Sequence, residues 1–204
     1  GKKCYICNMT QTRQANGSAD DLRDALEVLR RGGVILYPTD TVWGIGCDAA
    51  CSEAVERIYS IKQRPDSKAL ITLVASEAML ERSVAEVPDV AWQLLEVAVD
   101  PLTVVYDRGC GVAPELLAPD GSIGIRLVRD CFAAELCRRL GRPLVSTSAN
   151  IAGAPTPLSY PDIAPEILQA VDYVCLTGRA DAPAAKASAV IKLGCDGTVK
   201  ILRK

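Results

Sequence analysis

Histidine is absent from this sequence of 204 residues. Enzymes use histidine more often than any other side chain as a general acid or base, and the Ser-His-Asp triad requires it as well. A Walker A loop and a GxGxxG fingerprint are also missing. These absences exclude several common catalytic designs and predict that any reaction here proceeds without a covalent protein intermediate.

Aromatic residues are scarce, with two Trp, six Tyr and one Phe, and the formal net charge is −2. Proteins that hold single-stranded nucleic acid stack its bases on aromatic side chains, and non-specific binding to polyanions requires a basic balance. No apolar run approaches the ~20 residues of a membrane span, and no secretory signal is recognisable. The sequence therefore predicts a protein without a membrane association that does not bind nucleic acid through its overall charge.

Cysteine, in contrast, is abundant. The nine cysteines form an odd set, which cannot close completely into disulfides, so we predict a reducing, cytoplasmic location. Cys4 and Cys7 have the spacing of a metal knuckle, but no second CxxC follows. A structural zinc site at these two residues is a minor alternative.

The hydrophobic pattern predicts an α/β (α+β) fold, in which a single domain over residues 18–204 has a twisted mixed β-sheet flanked by helices. Residues 1–17 form an N-terminal arm or an extra strand in this prediction. The predicted strands are 34–37, 69–75, 101–107, 123–127, 143–146, 173–176, 188–193 and 198–202, the last two forming a hairpin. Predicted helices begin at caps Ser18, Ser52 and Asp130, and others lie near 77–82, 88–98 and 161–169.

The segment GGVILYPTDTVWGIGCD, residues 32–48, is the stretch around which the chain is organised. Pro38 ends a buried strand because proline cannot donate to a β-ladder. Three short polar side chains follow, and Gly44 and Gly46 then allow the backbone to approach another group closely or to turn sharply. A simple turn in which the threonines satisfy their own backbone is the alternative interpretation.

A second group of residues has the chemistry of an anion site. Pro65 favours an extended conformation at Arg64, so Lys62 and Arg64 can point toward one target, with Lys68 nearby. Three cations of this kind could hold a triphosphate through charge-assisted hydrogen bonds without a P-loop. A solvated basic turn remains the alternative for this segment.

Other polar residues could complete that site. Ser148 and Asn150 can supply neutral hydrogen bonds, although a helix cap or Asx-turn would also explain them. Arg203 approaches from the last predicted strand. In the strand IGIRL, residues 123–127, alternation places Arg126 opposite the apolar side chains and beside Gly124, which suggests a ligand wall.

Five ordered motifs resemble those of the YrdC-like threonylcarbamoyl-AMP synthase family in its short, single-domain form. PTDTVWGIG resembles the family signature PTDTVYGLG, with Trp43 where the family usually has tyrosine. IKQRPDSKAL, PLTVV, IGIR and STSANIAG follow in the family's order. The resemblance covers roughly residues 20 to 203 and implies a sheet that encloses a large, positively charged cleft.

This resemblance implies a substrate set and a reaction. Members condense L-threonine, bicarbonate and ATP into threonylcarbamoyl-AMP and pyrophosphate, with Mg²⁺ on the leaving phosphates. A partner transferase complex then passes the threonylcarbamoyl group to an adenosine of tRNA, so contact with tRNA is also possible for such a protein.

The resemblance also assigns roles residue by residue. Lys62 and Arg64 match the catalytic pair at the ATP phosphates. The matching ATP-binding and phosphate-binding positions are Lys62, Arg64, Lys68, Ser148, Asn150, Ser188 and Arg203. The residues expected to bind threonine or bicarbonate are Thr39, Thr41, Trp43 and Arg126. Ala189 and Lys192 depart from the family pattern, which usually has threonine and an acidic residue there.

Two other functional classes are left open by the residues. A non-catalytic module could bind tRNA or double-stranded RNA through the same cationic cleft, with a steep dependence on salt. A carbamoyl-transfer domain, like the YrdC-like part of hydrogenase-maturation enzymes, would use carbamoyl phosphate in place of threonine. The acidic balance of the chain argues against the first of these.

Overall fold

A computed structural model describes residues 19–63, 70–181 and 187–203. The predicted N-terminal arm, the Cys4 and Cys7 pair, and the predicted cap Ser18 lie outside these ranges. Two predicted phosphate-binding residues, Arg64 and Lys68, also lie outside them.

One twisted sheet joins the nine strands found in these ranges. The strands are β1 (Ile35–Tyr37), β2 (Gly44–Gly46), β3 (Ile71–Val74), β4 (Leu102–Tyr106), β5 (Ile123–Leu127), β6 (Leu144–Ser148), β7 (Tyr173–Val174), β8 (Ala189–Leu193) and β9 (Val199–Arg203). Their spatial order is β7, β1, β2, β6, β3, β5, β4, β8, β9. Three neighbouring pairs are parallel, namely β1 with β7, β3 with β5, and β4 with β8, and the others are antiparallel. The mixed sheet and the closing hairpin are as predicted.

Six helices flank the sheet in the described part of the chain. They are α1 (19–30), α2 (Ser52–Lys62), α3 (Glu77–Ser83), α4 (Asp89–Val97), α5 (Phe132–Leu140) and α6 (Pro165–Ala170), with short 3-10 helices at Pro114–Leu116 and Tyr160–Asp162. The residues predicted to face the core from α1 are all buried, because they recur at helical spacing: Leu22, Ala25, Leu26 and Leu29. The helix predicted over 161–169 is divided, since Pro165 opens a new helix at its first turn.

Two predicted N-caps are wrong by one residue. Cys51 and Cys131, not Ser52 and Asp130, occupy the extended cap positions of α2 and α5, and neither makes a side-chain cap hydrogen bond. Ser52 is instead the first residue of its helix. Helix α5 does end at Gly141 as expected, because Gly141 adopts a left-handed conformation with φ 73°.

Strand β2 was not predicted, because its two glycines indicated a loop. The tertiary structure requires glycine at position 46, where a Cβ atom would lie 2.1 Å from the carbonyl oxygen of Val145. The close approach foreseen for this glycine is therefore an approach to the neighbouring strand. Two glycines are tolerated in a strand here because their lack of side chains lets β1 and β6 pack closely around it.

The buried apolar side chains form two clusters. The larger one includes Leu26 of α1, Leu73 of β3 and Leu136 of α5, and the smaller one includes Val55 of α2 and Val145 of β6. The predicted alternation along β5 is observed. Ile123 and Ile125 belong to the larger cluster, whereas Gly124 and Arg126 line a cavity.

No helix in the described ranges is long and apolar enough to span a membrane. The seven cysteines within these ranges all carry free thiols. Burial raises the pKa of the Cys137 thiol to about 12, so this thiol remains protonated and acts as a small core side chain.

Candidate active site

A cavity of about 310 Å³ lies over the middle of the sheet. Seven strands contribute to its wall, which includes Gly44, Ile71, Thr103, Val105, Gly124, Arg126, Ser146, Ser148, Val190 and Arg203. Connecting segments add Val42, Leu70, Ser122, Thr156, Ala187 and Ser188. The volume falls within the range of small-molecule sites, and hydroxyls and arginines provide most of its polar groups.

Arg126 is the most deeply buried charge on this wall, with only 4% of its side chain exposed. One terminal nitrogen, Nη2, lies 2.9 Å from Oδ1 of Asp40, which belongs to the loop between β1 and β2. The Nε atom is buried and has no hydrogen-bond partner among the described residues. A buried donor without a partner is costly, so a ligand oxygen that accepts from Nε would remove this cost. The guanidinium can therefore bind an anion in the cavity.

Thr39 and Thr41, in the same loop, are joined by hydrogen bonds. The Thr39 hydroxyl donates to the carbonyl oxygen of Val42 at 2.7 Å and accepts from the Thr41 backbone amide at 3.1 Å. Its single proton is thus engaged, so the 3.0 Å contact between the two hydroxyls has Thr41 as the donor. The turn that satisfies its own backbone is therefore present, and it fixes Asp40 between two mutually bonded residues.

Trp43 and both threonines line a smaller neighbouring cavity of about 80 Å³ rather than the main one. The indole is 5% exposed and packs against Tyr160, with ring centroids 5.2 Å apart. The guanidinium of Arg179 lies over the Tyr160 ring, 4.7 Å from its centroid. In the described structure, Trp43 forms an aromatic wall within the smaller core cluster.

Lys62 ends helix α2 and is 2% exposed. Its ammonium donates to the carbonyl oxygens of Ser148 at 2.6 Å and Asn150 at 2.7 Å. The carbonyl of Lys62 accepts from the Ala152 amide at 2.9 Å. These contacts attach the end of the helix to the loop after β6, so the Lys62 ammonium, predicted to contact the ATP phosphates, donates in this structure to backbone carbonyl oxygens of that loop.

Asn150 folds its own loop through its amide group. The Nδ2 atom donates to the carbonyl oxygens of Ile151 at 3.0 Å and Ala154 at 2.7 Å. Its Oδ1 atom is buried and has no partner in the described ranges. Like Nε of Arg126, that oxygen is a buried polar atom with unused hydrogen-bonding capacity in these ranges.

Ser188 and Arg203 close the cavity from the hairpin of β8 and β9. The Arg203 guanidinium donates through Nε and Nη2 to the carbonyl oxygen of Ser188, at 3.0 and 2.9 Å. The Ser188 hydroxyl lies 2.9 Å from that of Thr103. These bonds fix a positive group at the edge of the cavity.

Asp120 and Lys192 form an exposed pair beside Ser122, with 2.9 Å between Nζ and Oδ2. Hydrogen bonds from the Ser122 hydroxyl and from Lys192 hold the pKa of Asp120 well below its usual range. The lysine that departs from the family pattern is therefore engaged at the surface with a carboxylate outside the cavity lining.

Of the residues predicted from sequence, four line the main cavity: Arg126, Ser148, Ser188 and Arg203. Lys62 and Asn150 support its rim, and Thr39, Thr41 and Trp43 lie next to it. Sequence reasoning missed Asp40 and Thr103, whose contacts are formed only in the folded chain. Their positions inside the PTDT and PLTVV motifs were the available signal.

A model of the Sua5/YciO/YrdC family, described as "Telomere recombination", matches residues 27–204. The chain belongs to this family. A threonylcarbamoyl-AMP synthase of Stenotrophomonas maltophilia (strain K279a) is 39% identical over 157 residues, covering 75% of this chain and 84% of that protein.

Solved structures of the Sua5/YciO/YrdC family share the fold. E. coli YciO matches with a TM-score of 0.77 and 29% identity over 90% of this chain and 88% of that chain. P. abyssi Sua5 complexed with L-threonine matches with a TM-score of 0.72 and 29% identity over 84% of this chain. This chain spans 50% of that Sua5 chain. The mixed sheet described above is thus the Sua5/YciO/YrdC fold.

Proposed function

We propose that this protein is a threonylcarbamoyl-AMP synthase that condenses L-threonine, bicarbonate and ATP. The observation that carries the proposal is the buried Arg126 guanidinium, whose Nε has no partner in the described ranges, on the wall of a hydroxyl-lined cavity. Such a group is suited to the carboxylate of an amino acid. Family membership and the synthase names of curated relatives support the same assignment.

Each wall of the cavity has a proposed role. Arg126 binds the carboxylate of threonine, and the Thr39, Thr41 and Trp43 segment closes that end of the site. Ser148, Asn150, Ser188 and Arg203 bind ATP. Lys62 holds the Ser148 loop in place and adds positive charge beside it, while Arg64 and Lys68 are assigned to the phosphates from the family motif.

The proposed reaction has two steps and places it among nucleotidyl transfers. The threonine amine adds to bicarbonate and water is lost, which gives a carbamate. A carbamate oxygen then attacks the α-phosphorus of ATP, and pyrophosphate leaves with the electrons of the broken P–O bond. Both steps depend mainly on positioning the reactants and on neutralising negative charge, for which cations and oriented hydroxyls suffice.

Mg²⁺ enters this proposal as part of the MgATP substrate. The described residues contain no group of three or more His, Cys, Asp or Glu side chains that could hold a metal ion. In this proposal the phosphate oxygens of ATP and water supply most of the ligands of the ion, as is common for Mg²⁺. The resident residues would then contact the phosphates of the complex.

We further propose that a tRNA-modifying threonylcarbamoyl transferase complex consumes the product. Threonylcarbamoyl-AMP is a mixed anhydride that water hydrolyses, so direct handover to a transferase would protect it. Direct contact with tRNA and a cytoplasmic location stay predictions.

Pyrophosphate release from ATP, with threonine and bicarbonate each omitted in turn, tests the function. We expect release only when both are present, and a large loss in Arg64→Ala without a change in thermal stability. Arg139→Ala is the matched control, because Arg139 pairs with Glu135 on the surface of α5. Wild-type release in Arg64→Ala would remove that residue from the site.

Two other outcomes would replace the proposal. Salt-sensitive RNA binding without ATP turnover would indicate an RNA-binding module. Turnover that needs carbamoyl phosphate in place of threonine and bicarbonate would indicate a carbamoyl-transfer domain.

A further inference from the structure

The ion pair between Asp40 and Arg126 joins two parts of the chain that each contribute to the cavity. Asp40 lies in the loop between β1 and β2, and Arg126 lies in β5, a central strand. The guanidinium is 4% exposed, whereas a quarter of the Asp40 side chain, 25%, reaches solvent. A charge as deeply buried as that of Arg126 requires a fixed partner, and Asp40 is the acidic side chain paired with it among the described residues.

The geometry of the pair leaves one edge of the guanidinium open. The ion pair joins Nη2 to Oδ1 of Asp40, and Nε has no partner in the part of the chain described. A guanidinium binds a two-oxygen anion best through two parallel N–H donors. The contact with Asp40 leaves the Nε–H donor available, so an oxygen of a ligand carboxylate can accept a hydrogen bond from it.

The loop that carries Asp40 is closed by its own hydrogen bonds. Thr39 and Thr41 on either side of it share a hydroxyl contact of 3.0 Å, and the Thr39 hydroxyl donates to Val42. These bonds tie the chain on both sides of Asp40, and the carboxylate lies 2.9 Å from Nη2 of Arg126. A group locked by supporting contacts in this way can present its remaining donors at a constant position.

We infer that Asp40 is a positioning residue, which turns Arg126 so that its Nε edge receives the carboxylate of the amino-acid substrate. This inference rests on the proposed function and adds to it the device that selects for a free carboxylate. Asp40 itself touches neither the amino acid nor ATP in this arrangement. Its removal would leave Arg126 charged but free to rotate away.

The test compares Asp40→Asn with wild type in pyrophosphate release, titrating threonine, bicarbonate and ATP separately. We expect the KM for threonine to rise by about 10- to 100-fold, the range for hydrogen bonds to a charged group. The KM values for bicarbonate and ATP should stay within about 2-fold, well below the tenfold that one such bond represents. A rise in the KM for bicarbonate alone would overturn the assignment of the Nε edge to the amino acid.

Threoninamide supplies a readout that a merely structural role would not move. Because this analogue lacks the carboxylate, the affinity of wild type for threoninamide should be much lower than its affinity for threonine. Inhibition of pyrophosphate release measures the affinity for threoninamide. In Asp40→Asn the two compounds should bind almost equally, since the carboxylate has lost its oriented partner. Unchanged discrimination in this variant would overturn the inference, and Asp40→Glu should restore part of it.

Asp48→Asn is the matched control. Asp48 forms a pair with Arg142 at the same 2.9 Å distance and is 4% exposed, yet neither residue lines the cavity. This variant should leave the discrimination between threonine and threoninamide unchanged. If Asp40→Asn does not fold, Arg126→Lys provides the second variant, because it keeps the charge and removes Nε, and it should abolish the same discrimination.

Failure of the proposed function would be recognised separately. If the wild-type protein neither binds threonine in calorimetry nor releases pyrophosphate, the synthase assignment is contradicted. An active wild type with an unaffected Asp40→Asn variant would contradict only the inference about Asp40.

Discussion

The ammonium of Lys62 lies 2.6 Å from the carbonyl oxygen of Ser148, 86 residues further along the chain. This hydrogen bond and its partner at Asn150 place a buried cation where helix α2 meets the end of β6. The cavity wall at Ser148 consequently depends on a residue that belongs to a different motif. The same contact explains why a lysine at the end of a helix is almost entirely buried.

Replacing Lys62 with methionine should destabilise the protein. Methionine keeps most of the volume but leaves two carbonyl oxygens without their donor, so the free energy of unfolding should fall by about 1–3 kcal/mol. Urea unfolding measures this change. Lys192→Met is the control, because its pair with Asp120 is exposed and should contribute at most about 1 kcal/mol. Equal effects in the two variants would contradict a buried role for Lys62.

The absence of a side chain at Gly124 should keep part of the cavity volume open to the substrates. A Cβ at this position would meet Thr103 and Val105 at ordinary contact distances of 3.7 and 3.9 Å, so the strand can accept a side chain. We expect Gly124→Val to change the free energy of unfolding by no more than about 1 kcal/mol. Its side chain would fill part of the cavity, and threonine-dependent pyrophosphate release should fall at least about tenfold, equivalent to 1.4 kcal/mol. Full activity would place the substrates elsewhere.

Gly46 should behave in the opposite way. In Gly46→Ala the new methyl group would lie 2.1 Å from the Val145 carbonyl oxygen and 2.7 Å from a ring carbon of Tyr37. Because a backbone atom in a paired strand cannot move aside cheaply, we expect a loss of about 3 kcal/mol in the free energy of unfolding. Thermal denaturation of the two glycine variants side by side provides the comparison. A stable Gly46→Ala protein would mean that β1, β2 and β6 pack less closely than described.

Asp21 should make stability depend on pH. It accepts hydrogen bonds from the Tyr173 hydroxyl at 2.7 Å and from the amides of Leu176 and Thr177 at 2.9 and 2.7 Å. Burial raises the pKa of Asp21, but the bonds from Thr177, Leu176 and Tyr173 together outweigh it and lower the pKa below 3.8. The resulting stability is fully present above pH 3.8 and is lost as the pH falls through the lowered pKa.

Urea unfolding of Asp21→Asn at pH 7 and near pH 2 measures this linkage. At pH 7 the variant should be less stable than wild type by about 1.5–3 kcal/mol, and the difference should shrink at the lower pH. Asp20→Asn is the control, since Asp20 pairs with Arg23 at the surface and should have little effect. A constant difference across the two pH values would contradict the lowered pKa.

The sequence by itself determined most of the element order, the mixed character of the sheet and four of the residues that line the cavity: Arg126, Ser148, Ser188 and Arg203. Hydrophobic periodicity decides which side of a helix or strand is buried, as in α1 and in the alternation that directs Arg126 away from the core. Motif order was enough to indicate the family, because several spaced matches seldom coincide by chance. These features are local, so they can be read along the chain.

Only the tertiary structure decided which polar atoms pair and which stay available. Strand β2 exists because two other strands close around its glycines, and Thr39 is engaged in its own loop instead of lining the main cavity. Asp40 meets Arg126, and Lys62 meets Ser148, across long separations in sequence. Such contacts depend on how the whole chain packs, and no local pattern of residues contains that information.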